Sequence, residues 1–231
     1  MEPGFEGRPL RSSHATWPWL ALLNGLLFAI QHERIGGEAI VDLAVPTGAA
    51  IDEGQIWRPL TSLLVHPGGL VHLGINTALL AAVGGPAERE LDRERFLATY
   101  FCAGFATNAV RYALGGRPGG GASAAIFAVA GAASASRLHR SGRARQSDAA
   151  TLVSIAGGLV AATAGDNHLL ALGLGGALGR AAASTTDRRP FVQATGAVTA
   201  AGLVAMLGRS LSSREFAPHP EVPFGITSTR R

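Results

Sequence analysis

Seven predominantly apolar stretches, separated by short segments that gather most of the arginines, run through this 231-residue chain and restrict its fold more than any other property. They fall at 16–31, 70–85, 96–113, 122–136, 149–164, 167–183 and 191–208. A hydrocarbon layer ~30 Å thick is crossed by a helix of about 20 apolar residues. Inside lipid every backbone polar group needs a partner within the chain, and a single segment supplies that only as a helix. The pattern therefore predicts an all-α polytopic membrane bundle. Several stretches fall short of twenty residues, so their bounds are drawn only to within about three or four residues, which leaves the count unchanged.

Composition supports that reading. Hydrophobic residues make up 47% of the chain and charged ones 16%, against about 25% charged in an average soluble domain. A soluble chain of this size needs charge spread over its surface, and here the charge is clumped. All twenty basic residues are arginine, against sixteen acids, for a net +4. Clumped arginine in so apolar a chain marks loops on the cytoplasmic side of a bilayer rather than a nucleic-acid surface. Arg137, Arg140, Arg143 and Arg145 fall in one connection, Arg89, Arg93 and Arg95 in a second, Arg188 and Arg189 in a third. Seven spans put all three on one side with the N-terminal tail, 1–15, which carries Arg8 and Arg11. The tail is thus expected in the cytoplasm, the membrane domain at 16–208, and a disordered Pro-rich tail, 209–231, outside. The first stretch is read as a retained helix, because no small-x-small cleavage site directly follows it. The connection 33–55, with Pro46, is too long for a turn and is expected to fold at the interface.

Polar side chains within a bilayer are costly, so each is a functional candidate. His66, His72 and Asn76 stand at the entrance of the second stretch, Ser123 at the fourth, and His168 at the sixth, just after Asp166 and Asn167. All three entrances lie on the external side of the predicted topology. His72 and Asn76, four apart, share a helix face and can aim two donors at one point. Ser123 follows Gly119-Gly120-Gly121-Ala122 and opens a helix, where unpaired N–H groups favour a developing oxyanion. A serine hydroxyl needs a base, and His168 is the imidazole available from another helix at that depth. Ala171 and Gly175 form a small-residue stripe for close helix contact, as do Ala124 and Ala128. Phe127, four after Ser123, is placed to stack on the imidazole. A lone serine or asparagine in a membrane helix is ordinarily packing, and a lone histidine at a helix end is ordinarily solvated. Their joint occurrence at one depth is what points to acyl transfer.

The single Cys102 makes neither an intramolecular disulfide nor a cysteine metal site. With no His-Glu-x-x-His and no phosphate loop in context, neither metal nor cofactor is expected. A transporter or channel would place ionisable residues deep in several spans, and the mid-span positions here are mostly Ala, Gly, Leu and Val.

Taken together, Trp57-Arg58, His72-Leu-Gly-Ile-Asn76, Gly84-Gly85-Pro86-Ala87-Glu88, Gly121-Ala122-Ser123 and His168-x-x-Ala171-x-x-x-Gly175 resemble, in order and placement, the rhomboid intramembrane serine proteases over about residues 55–179. The resemblance implies a six-helix core, here with a seventh C-terminal span. It also implies a Ser123–His168 dyad cutting transmembrane helices of membrane-protein substrates near the external face of the cell membrane. His72, Asn76 and the Ser123 amide would form the oxyanion site. Gly121, Phe127, Ala171, Gly175, Trp57, Arg58 and Glu88 would support it. Ala124 and Ala171 stand where the family pattern has glycine, and the glycines at 173–176 offer a rival register without histidine. The alternative these departures leave is an inactive relative that only binds transmembrane helices.

Overall fold

The computed structural model describes residues 15–32, 37–116, 119–141, 168–184 and 187–215, and among these the regular secondary structure is all helix. Helix α1 (Trp17–His32) starts where the Glu88 carboxylate accepts from the Thr16 amide at 2.8 and 2.7 Å and from the Trp17 amide at 3.3 Å. Those N–H groups have no acceptor within their own helix, and a carboxylate at the positive end of a helix dipole is favourable. The connection after α1 contains two short helices, α2 (Gly37–Ala44) and α3 (Gly48–Asp52), the latter capped by the Thr47 hydroxyl. Next, α4 (Arg58–Thr61) carries the buried Arg58, whose guanidinium donates to the Asp42 carbonyl, to the Val45 carbonyl at 2.8 Å and to Gln55 Oε1 at 2.7 Å. Arg58 thereby ties this connection to the bundle. The adjoining Trp57 is half exposed.

Helix α5 (Gly69–Leu91) is longer than the stretch that predicted it. It stops at Asp92, which adopts φ 69° and whose carboxylate caps α6 (Arg93–Ala98) by accepting from the Arg95 amide at 3.0 Å. The expected third span is not one regular helix: α6 passes through a π-helical turn, Thr99–Ala103, into α7 (Gly104–Ala113). A π turn adds a residue to the helical repeat and so rotates the faces of α7 relative to those of α6. Helix α8 (Ser123–Ser141) lies at the centre, with Ala125, Ile126, Ala128, Val129 and Ala132 fully buried. Helix α9 (His168–Ser184) packs on it, and α10 (Arg189–Glu215) runs past the expected end of the seventh stretch. The expected fifth span, 149–164, and the tail beyond 215 lie outside the described residues.

Two described segments are long and apolar enough to cross a membrane: Gly69–Leu91 and Arg189–Ser212. Helix α1 is apolar but shorter.

The seam between α8 and α9 is made of main chain. A Cβ added at Gly175 would overlap the Ala128 carbonyl, one at Gly179 the Ala132 carbonyl, and one at Gly131 the Leu172 carbonyl. The helices run parallel, since Phe127 meets His168 near their starts while Ala132 meets Gly179 further along. Helix α5 runs the same way beside α8, because Gly121 lies against His72 at one end while Glu90 accepts from Ser136 at 2.9 Å and pairs with Arg140 at 3.3 Å at the other. The starts of three helices therefore share one end of the bundle, opposite the arginines of α8's last turns.

Candidate active site

At that shared end the segment Gly119–Ala122 is laid against the loop preceding α5. The Gly121 amide donates to the Ser62 carbonyl at 2.8 Å, and the Ala122 amide lies 3.5 Å from His66 Nε2. Gly121 has φ 123°, a conformation that side chains disfavour. A Cβ there would fall 2.6 Å from His72 Cε1 and 3.7 Å from Asn76 Nδ2. Gly121 thus serves two needs: it makes the turn into α8 and lets the His72 and Asn76 side chains approach the main chain just before Ser123. Asn76 is buried, and its amide donates to the His72 carbonyl at 2.9 Å, one turn back on α5.

Ser123 opens α8, His168 opens α9, and both line one small cavity with Thr107, Asn108, Arg111, Gly120, Gly121 and Ala124. Its volume is ≈ 20 Å³, room for about one water molecule. The Phe127 and His168 rings sit 4.6 Å apart between centroids at an angle of 50°. That contact fixes the imidazole's position above the second turn of α8. Ala171 is fully buried and Ala124 is 7% exposed, so both methyl groups are accommodated within the core. His168, rather than the glycines at 173–176, is the α9 residue at the cavity.

Several contacts that build this site were not read from the sequence. Gln31, at the end of α1, donates to the His66 carbonyl at 2.9 Å and accepts from the His66 amide at 3.1 Å, fastening the loop that backs the Gly121 turn. The His66 ring meets that of His72 edge to face at 5.3 Å. Burial, and secondly the adjacent His72, push the His66 imidazole down to about 4, so it is neutral at pH 7 and fit to accept from Ala122. Asn108, buried on α7, donates to the Pro59 carbonyl at 3.0 Å and to Ser62 Oγ at 3.1 Å. Asn108 and Arg111 are polar residues three apart in an apolar stretch, a signal that was present in the sequence. Gln31 gave none, since its partner lies 35 residues away.

Ser123 from one helix and His168 from a second line one cavity, and the His72–Asn76 pair of a third lies against the Gly121 turn beside it, an arrangement of groups that suits acyl transfer by a serine nucleophile. The model of the family described as the rhomboid domain matches residues 53–177, more than half of the chain, and the chain belongs to the rhomboid family. It is also similar to the rhomboid protease GluP of Bacillus subtilis (strain 168), with 34% identity over 113 residues. That alignment takes in 49% of this chain and 22% of GluP, so the chain spans far less than two thirds of this relative's length.

Proposed function

We propose that this chain is an intramembrane serine endopeptidase that cleaves transmembrane helices of membrane-protein substrates. The observation that carries the reading is that Ser123 and His168 line one cavity, while His72 and Asn76 reach the Gly121 turn leading to Ser123. In the proposed reaction Ser123 Oγ attacks the scissile carbonyl carbon as His168 takes the hydroxyl proton. The oxyanion is held by His72, Asn76 and the Ser123 amide, in the first turn of α8 where N–H groups lack intrahelical acceptors. The C–N bond breaks as His168 returns the proton to the leaving amine, and water then hydrolyses the acyl-enzyme by the same route. The chain is placed in the cell membrane as a multi-pass protein with six core spans and a seventh, its N-terminus cytoplasmic and its site opening externally. Support for that orientation comes from Arg137 and Arg140 lying at the end of the bundle opposite Ser123.

The test is cleavage of a single-span substrate in proteoliposomes by wild type beside Ser123→Ala and His168→Ala. Cleavage by wild type and loss in both variants is expected, because neither group acts without the other. Labelling of folded wild type by a fluorophosphonate, absent in Ser123→Ala, reports the nucleophile independently of substrate choice. A folded wild type that neither cleaves nor labels refutes the reading and leaves an inactive helix-binding relative.

A further inference from the structure

A buried asparagine in an apolar helix is costly unless its amide is engaged, and Asn108 of α7 is engaged with the loop behind the Ser123 turn. Thr107, beside it, turns its hydroxyl back to the Ala103 carbonyl at 2.8 Å within the same span, whereas Asn108 reaches across to another segment. We infer that Asn108 is a positioning residue for the oxyanion site: through Ser62 it sets where the Gly121 turn, and with it the Ser123 amide, stands relative to His72 and Asn76.

Helix α4 is four residues long, so most of its carbonyls lack amide partners in following turns of the same helix. The Leu63 amide donates to the Leu60 carbonyl at 3.1 Å rather than to that of Pro59. Side chains take the Pro59 carbonyl instead: Asn108 Nδ2 donates to it at 3.0 Å and Ser62 Oγ at 3.1 Å. Asn108 Nδ2 also donates to Ser62 Oγ at 3.1 Å, which closes a triangle in which each bond restrains the others. A carbonyl can only accept, so the nitrogen of the Asn108 amide, not its oxygen, faces α4, with both hydrogens engaged. Ser62 is fully buried, and its own carbonyl accepts from the Gly121 amide at 2.8 Å.

The turn follows Ser62 because main chain packs on main chain here. A Cβ at Gly120 would lie 3.1 Å from the Ser62 carbonyl oxygen and 3.0 Å from that of Val65. On its other side Gly121 lies against His72 and Asn76, which stand on α5. A shift of Ser62 is thus passed to Gly121 and moves the Ser123 amide, two residues on, against donors fixed to a different helix. Asn108 has a firm base for this role: a Cβ at Gly104, one turn earlier on α7, would lie 2.9 Å from Leu63 Cδ1 and 3.1 Å from the Ala125 Cβ of α8. The contact of the Ala122 amide with His66 Nε2 holds the turn at a second point, so loss of Asn108 displaces it without releasing it.

Only the kinetic arm of the test rests on the serine-protease reading; the other arm reads the turn itself. In the full chain in detergent micelles, hydrogen exchange of the Gly121 amide is followed by NMR for wild type, Asn108→Ala, Ser62→Ala and the double variant. Exchange is expected to quicken by about tenfold in Asn108→Ala, the effect of one lost hydrogen bond, and by less in Ser62→Ala, which keeps its carbonyl. Ser62→Ala carries the test if Asn108→Ala fails to fold. Ser136→Ala, which loses its bonds with Glu90 and Arg140 at the far end of the bundle, is the control for lost stability alone and should leave Gly121 exchange and cleavage at wild-type values. In proteoliposomes kcat is expected to fall about tenfold in Asn108→Ala with KM unchanged, because the oxyanion forms only after substrate is bound. The double variant should be no slower than Asn108→Ala, since both act through one turn. Wild-type exchange at Gly121 in folded Asn108→Ala overturns the inference whether or not the chain cleaves. So does a raised KM at unchanged kcat, which would make Asn108 a substrate contact. A wild type that neither cleaves nor labels defeats the protease reading and leaves the exchange arm to decide the role of Asn108.

Discussion

Replacing Gly175 by alanine tests whether the α8–α9 seam sets the catalytic distance. A Cβ at 175 would lie 2.6 Å from the carbonyl carbon of Ala128 and 2.8 Å from its Cα, besides overlapping the carbonyl oxygen. Ordinary carbon–carbon contact begins near 3.5 Å, so α9 must retreat from α8 by about 1 Å at that level. Main chain offers no rotamer change to absorb this. His168 lies two turns earlier on the same helix and is carried with it, and a 1 Å misplacement of a catalytic group costs about 100-fold in rate. The added methyl group should also cost about 1–3 kcal/mol of stability through overpacking. Gly173 is the control: nothing lies within 4 Å of a Cβ there, and Gly173→Ala should leave cleavage unchanged while gaining up to about 1 kcal/mol of helix stability. The assay is the initial rate of cleavage of a single-span substrate in proteoliposomes, beside the fluorophosphonate labelling rate and the unfolding midpoint of each variant. A Gly175→Ala protein that folds and cleaves at the wild-type rate refutes the reasoning, because the seam would then yield without moving the dyad.

Removal of either oxyanion donor, in His72→Ala or Asn76→Ala, is expected to slow cleavage by about ten- to a thousandfold while leaving the fold intact. A wild-type rate in either would reduce that residue to packing. Glu88→Ala takes away the acceptor of the Thr16 and Trp17 amides and should lower stability by about 1–2 kcal/mol in detergent titration, with an unchanged midpoint counting against the cap. Reporter fusions after Arg145 and after Arg214 should report opposite sides of the membrane. Both on one side would remove either the seventh span or the orientation.

What the sequence disclosed about this molecule was what depends on period and spacing. Helical class followed from runs of apolar residues bounded by charge. The pairing of His72 with Asn76 followed from four-residue spacing, and both side chains lie by Gly121. Phe127, placed one turn below Ser123, does meet the His168 ring. Contacts fixed by tertiary geometry left no such trace. The third stretch reads as one regular helix, but a π turn at Thr99–Ala103 interrupts it ahead of Asn108 and Arg111 at the cavity. Helix lengths escaped as well: α5 continues through Pro86 to Leu91, although proline and charge both marked an earlier end. Composition could not show that Glu88 would reach the start of a helix more than seventy residues away.

The seam of Gly131, Gly175 and Gly179 also bears on how this sequence can change. Most packed contacts drift in both directions, since a larger residue on one side is answered by a smaller one on the other. Here the opposing surface is peptide backbone, present whatever the residue, and glycine is already the smallest amino acid. Every mutation at these three positions therefore widens the seam, and none can narrow it. Compensation has to come from a shift of a whole helix, which no single substitution supplies, so the three glycines form a one-way boundary in the sequence space open to this fold.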